Sequence, residues 1–210
     1  MADWQTISSL ATAGGTLVLA AATFSAVRSS NRSARVAEQA LLTGMRPLLV
    51  PSLSDDPDQK VVWSGGRAAR LGGGRAIAEH EDGVTYLAIS LRNVGAGLAL
   101  LHGWYPRPGW ASVDDPRVEL DSFRRLIIDL YIAPGGPGYW ESALREENDA
   151  LHDEFQRVLA DREAFTIDLL YGDQDGGQRT VSRCLVLPAS DGGWYSQIAR
   201  HWNVDRADPR

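Results

Sequence analysis

Four histidines, one cysteine and a few loops rich in carboxylates or glycine are the groups in this 210-residue chain from which chemistry could be built. His80, His102, His152 and His201 stand one per segment, with no HxH, no HExxH and no other spacing that aims two imidazoles at one metal from a single element. His80, Glu81 and Asp82 precede a strand and read as a solvated turn. Asp173-Gln174-Asp175-Gly176-Gly177 begins like a calcium loop, but the position of the closing glutamate falls on Cys184. A hairpin turn using Asp and Gly for their tolerance of positive φ accounts for it better. Cys184 sits in mid-strand beside Arg183, where a half-buried inert thiol is expected. No GxSxG is present, and Leu71-Gly72-Gly73-Gly74-Arg75 lacks the lysine and hydroxyl of a phosphate-binding loop. The expectation is no catalytic set, no metal and no cofactor, hence not an enzyme.

The segment from Ala133 to Trp140 (APGGPGYW) is the most suggestive, because a Pro/Gly turn delivers Tyr139 and Trp140 together. Such aromatics supply contact area with a polar handle at small entropic cost, so both are candidate partner-binding residues. The competing reading has Trp140 stapling a following helix onto the fold. Trp104, Trp110 and the closing run from His201 to Arg206 carry the same ambiguity.

These groups must be positioned by strands. Alternation over GVTYLAISLRNVG puts Leu87, Ile89 and Leu91 on one face. NVGAG then reads as a tight turn into LALLHGWYP, making two adjacent strands. RPLLVPSL and Lys60 to Ser64 are further strand candidates, with glycine-rich loop around Gly65, Gly66 and Gly72 to Gly74. RRLIIDLYIAP alternates Leu126, Ile128, Leu130 and Ile132, and FTIDLLYGD alternates Phe165, Ile167, Leu169 and Tyr171. The latter joins RTVSRCLVLP in a hairpin with Val181, Leu185 and Leu187 inward, and GWYSQIARHWNV reads as a last strand. One helix is expected from about Trp140 to Ala160, with Leu144, Leu151, Phe155, Val158 and Leu159 on its apolar face. The sum is a mainly β chain, an immunoglobulin-like antiparallel β-sandwich with one crossover helix, or alternatively a small barrel.

Ahead of it, Trp4 to Val27 contains no ionisable side chain and would be about 36 Å long as a helix, enough to cross a bilayer. Asp3 before it and Arg28 directly after it do not fit a cleaved signal peptide. A buried helix of a soluble domain is the other reading. Arg28, Arg32 and Arg35 place the carboxy-terminal bulk on the cytoplasmic side of the cell membrane. Ser8, Ala11, Thr12, Gly15 and Leu19 share a face through which two spans could associate as a homodimer. The expected division is a transmembrane helix over 1–27, a juxtamembrane helical stalk over 28–45 and a β-sandwich domain over 46–210.

A net charge of −6 opposes phosphate neutralisation and so a nucleic-acid partner. One cysteine excludes an internal disulfide framework. The uncharged span, the basic helix, RPLLVPS and YLAISLRNVGAGLALLHGW together resemble a group of uncharacterised bacterial, largely actinobacterial, single-pass membrane proteins. In that group a carboxy-terminal β-sandwich carries an NxGxG-like turn, matched by Asn93, Gly95 and Gly97. The resemblance implies the fold and transfers no activity. Two functions fit: a membrane-anchored interaction module presenting its domain to a protein partner, or a small-ligand-sensing domain signalling through a self-associating span. A hydrolase assembled from dispersed side chains is weakest, since strands with regular alternation leave few inward polar groups.

Overall fold

The computed structural model describes residues 3–112, 114–145 and 150–206. The chain divides into two compact units at Gly44 and Met45. The first is a single α-helix, α1 (Trp4–Gly44), which joins the expected span and stalk without a break. Within Ser8–Leu41 lies an 18-residue stretch with mean hydropathy 1.6, apolar and long enough to cross a membrane. Thr12 and Thr16 donate their hydroxyls to the carbonyls of Ser8 and Thr12, both at 2.9 Å, so these polar side chains are satisfied within the helix. Of the small-residue face, the side chain of Ala11 lies outside the described residues.

The second unit is mainly β. Its strands are β1 (Leu49–Pro51), β2 (Gln59–Val62), β3 (Ala68–Leu71), β4 (Arg75–Glu81), β5 (Val84–Asn93), β6 (Ala99–Arg107), β7 (Arg124–Ile132), β8 (Pro137–Arg145), β9 (Phe165–Gly172), β10 (Thr180–Pro188) and β11 (Trp194–Asn203). Nine of them form one curled antiparallel sheet in the order β1-β5-β4-β11-β10-β9-β6-β7, with β8 on the other edge of β5; β2 and β3 form a separate ribbon. Leu87, Ile89 and Leu91 point into the main core as the alternation predicts, beside Trp104, Trp140, Phe155, Phe165 and Ile167.

Four expectations need correction. The helix does not begin at Trp140: that stretch is β8, paired along β5 from Val84↔Arg145 to Arg92↔Pro137, and α2 spans only His152–Ala160. Residues 146–149 of the expected helix lie outside the described residues. Trp140 and Leu144 are four apart, a spacing that suits one helix face and one strand face alike. Second, the glycine-rich region carries β3 and leads into β4, and Asp82 and Gly83 (φ 51° and 72°) turn β4 tightly into β5. Third, β5 and β6 are not neighbours: β6 pairs with β7 and β9. Asn93 explains this, because its amide nitrogen donates to Gly97 O (2.7 Å) and Ile132 O (3.0 Å), while its oxygen accepts from Leu48 N (3.1 Å) and Gly95 N (3.0 Å). A Cβ at Gly95 or Gly97 would collide with the backbone of residues 45–48, so NVGAG is a crossing point for the incoming chain. Fourth, β10 has the opposite phase: Cys184 and Val186 face the main core, while Val181 packs with Leu170 and Trp202 on the other side.

Candidate functional site

The two aromatics singled out by sequence separate in the fold. Trp140 is 0 % exposed, its ring 5.3 Å from that of Trp104, and its indole nitrogen has no hydrogen-bond partner among the described residues. Tyr139, on the opposite face of β8, packs with Trp63, Val61 and Tyr86 under the β2–β3 ribbon. The preceding turn is a packed corner in which Gly135 N donates to Asn93 O, and Arg92, itself paired with Asp56, donates to Gly135 O.

Two of the four histidines meet. The rings of His80, at the end of β4, and His152, opening α2, lie 5.2 Å apart. His80 Nδ1 bonds the Thr85 hydroxyl (3.1 Å), and His152 Nδ1 lies 3.2 Å from Asp153. Their separation along the chain hid this pairing. No group of three or more metal-ligating side chains occurs among the described residues. In the Asp173 loop, a carboxylate oxygen accepts from Gly177 N at 3.0 Å, and Gly176 takes φ 72°.

Alternation gave no sign that the outer faces of β9 and β10 are also covered. There Arg183 and Asp168 form a buried ion pair, and Arg183 also donates to the carbonyls of Ser112, Asp115 and Pro116. Burial pushes Asp168 upward against the hydrogen bonds of Arg183. Burial, with Asp168 adding to it, also pushes the Cys184 thiol far up, which leaves it a poor nucleophile. Nearby, Ser182 Oγ lies 2.7 Å from His201 Nδ1 and 2.9 Å from the Tyr171 hydroxyl. This resembles a nucleophile with its base, but Ser182 is 0 % exposed and is already bonded to Tyr171, which in turn accepts from Leu49 N (3.1 Å). The arrangement anchors β1. Burial lifts the Tyr171 hydroxyl to about 12.

A different place combines exposure with a buried acid. The β6–β7 register jumps between Leu101↔Leu130 and Gly103↔Arg125, so residues 126–129 bulge opposite His102 alone. Ile127 is 77 % exposed, and Ile128 and Tyr131 are about half exposed. The bulge, β8 and the Trp63-Ser64 turn enclose a narrow cleft lined by Leu126, Ile127, Ile128, Glu141, Ala143 and Arg145. Glu141 is buried there, and desolvation, partly offset by Arg145, lifts its carboxyl to about 7. The other larger depressions are open surface grooves.

No family model matches the chain, and neither the curated proteins nor the solved structures provide a match.

Proposed function

We propose that the chain is a membrane-anchored interaction module, held by α1 in the cell membrane with its β-domain on the cytoplasmic side, and that β7 is the surface it presents to a protein partner. The observation that supports this reading is the pair of exposed isoleucines, Ile127 and Ile128, on a bulged strand whose other edge pairs with no described strand. Monomeric surfaces rarely leave such groups together without use, and a free strand edge is a template for an added strand. On this reading the curled sheet serves as the immunoglobulin-like scaffold, the chain resembles the actinobacterial single-pass group, and its function is binding and not catalysis. The partner is a protein and not a nucleic acid, in keeping with the net charge of −6. The small-residue face of α1 offers self-association as a homodimer within the bilayer.

The second reading, a ligand sensor, draws on the polar joint where the chain enters the β-domain. There Arg46 bonds the Asn203 side chain and Leu49 bonds Tyr171, so a shift in β11 or β9 would be felt at the first residues after the helix.

The test is crosslinking in intact cells with a carboxy-terminal tag, comparing the native chain with Ile127→Asp. One defined partner captured by the native chain and lost in the variant is the expected result. Capture of only a second copy, unchanged by the substitution, moves the weight to the sensor.

A further inference from the structure

The cleft between β7, β8 and the Trp63 turn contains an acid without a counter-ion in contact. Glu141 is 7 % exposed, lines the cleft and accepts no hydrogen bond from any described residue. Arg145, four residues further along β8 on the same face, directs its Nη2 to the carbonyl of Ser64 at 2.7 Å. Trp63 turns its indole nitrogen onto the carbonyls of Leu87 (3.2 Å) and Ser142 (3.0 Å) and so offers Glu141 nothing. The remaining walls are mostly apolar, Leu126, Ile127, Ile128 and Ala143, with Ser64 and Ser142 beside them. A largely buried carboxyl that no described group bonds, yet that solvent still reaches through the cleft, is a place where a ligand can complete the set.

We propose that the mouth of this cleft, with about 20 Å³ of space, receives the ammonium end of a lysine side chain of the protein partner, which pairs with Glu141 while the aliphatic stem lies outside against the exposed Ile127 and Ile128. The inference rests on the interaction-module reading and supplies the chemistry of that partner. A narrow cleft beside a free strand edge suits one side chain projecting from an extended segment, since a strand laid along β7 aims alternate side chains toward the domain. Lysine places a compact ammonium at the end of an apolar stem. The chain's excess of acidic groups, 27 against 21 basic, favours approach of a basic segment. The elevated carboxyl of Glu141 agrees with a site whose charge is balanced only on binding.

The experiment uses the full chain in lipid nanodiscs, with methyl-labelled isoleucines and carboxyl-labelled glutamates followed by NMR. The probe is butylammonium chloride, a lysine side chain without its backbone, with 1-butanol as the neutral match. The expected result is a saturable shift of the Glu141 carboxyl and the Ile127 and Ile128 methyls with butylammonium alone, and a fall of the Glu141 midpoint by about one pH unit at saturation. In Glu141→Gln, the isoleucine response disappears. An absent response, an equal response to butanol, or one that survives in Glu141→Gln overturns the proposal. In cells, a partner lost with Ile127→Asp but fully retained with Glu141→Gln overturns the cation site and leaves the interaction module standing. No partner captured by the native chain overturns both.

Discussion

Arg183 grips Asp168 through two parallel hydrogen bonds, Nε to Oδ1 at 3.0 Å and Nη2 to Oδ2 at 3.1 Å, with each residue 1 % exposed. The remaining guanidinium hydrogens reach three carbonyls of the loop ahead of β7, and the guanidinium carbon lies over the Trp202 ring, 5.3 Å from its centroid. One cation thus ties β9, β10 and the covering loop together, and geometry of this quality is what a desolvated pair requires.

Removing one member leaves the other charged and buried. Arg183→Met is expected to destabilise the β-domain by about 3–5 kcal/mol, and the double variant Arg183→Met/Asp168→Leu to recover much of that loss. Denaturant unfolding of the detergent-solubilised chain, followed by tryptophan fluorescence, measures both. A double variant no more stable than the single one contradicts the account.

Glu141 predicts a pH dependence of defined sign. Its carboxyl is raised from 4.5 to about 7 in the fold, so between those values the folded state holds a proton that the unfolded state has released. Stability from this group is intact below about 4.5, falls as pH rises to about 7, and is flat above, for a total of about 3 kcal/mol. Glu141→Gln removes the dependence, so its advantage over the native chain grows across that window. A constant difference from pH 4.5 to 8 contradicts the burial argument.

Trp140 and Tyr139 separate by role. Trp140→Ala empties a core position and costs about 3–5 kcal/mol of stability, whereas Tyr139→Ala, at a partly exposed site, costs about 1–2 kcal/mol. Thermal unfolding distinguishes them, and a stable Trp140→Ala protein is inconsistent with its packing against Trp104.

Asn93 carries four hydrogen bonds at the crossing of the incoming chain. Asn93→Asp keeps the shape but turns both donors into acceptors against the carbonyls of Gly97 and Ile132. It is expected to cost at least 2 kcal/mol, that is about 1–3 kcal/mol for each unsatisfied group. Asn93→Ala should cost a comparable amount. Melting temperatures within one degree of the native chain for both would remove Asn93 from this role.

Much of this fold is legible in the sequence where one apolar face decides it. β5 shows its core face in Leu87, Ile89 and Leu91, and β9 with β10 show their hairpin through the Asp/Gly turn. Alternation misleads where both faces are covered. On β10 the apolar Val181 and Leu185 lie opposite the core-facing Cys184 and Val186, because the loop held by Arg183 covers the outer side. β8 escapes notice for a different reason: Glu141, Ala143, Leu144 and Arg145 are good helix formers, and pairing along β5 overrides that preference. The cleft around Glu141 is not legible at all, because it depends on a three-residue slip of register between β6 and β7.

The crossing at Asn93 also sets an order of events during synthesis. The helix and β1 emerge first, yet Leu49 bonds Tyr171, 122 positions later, and Arg46 bonds Asn203, 157 positions later. At roughly 5–20 residues per second, the first strand waits on the order of 10–30 s for these partners while the apolar helix is already outside the ribosome. The first strand therefore cannot be locked into place until nearly the whole β-domain has been made.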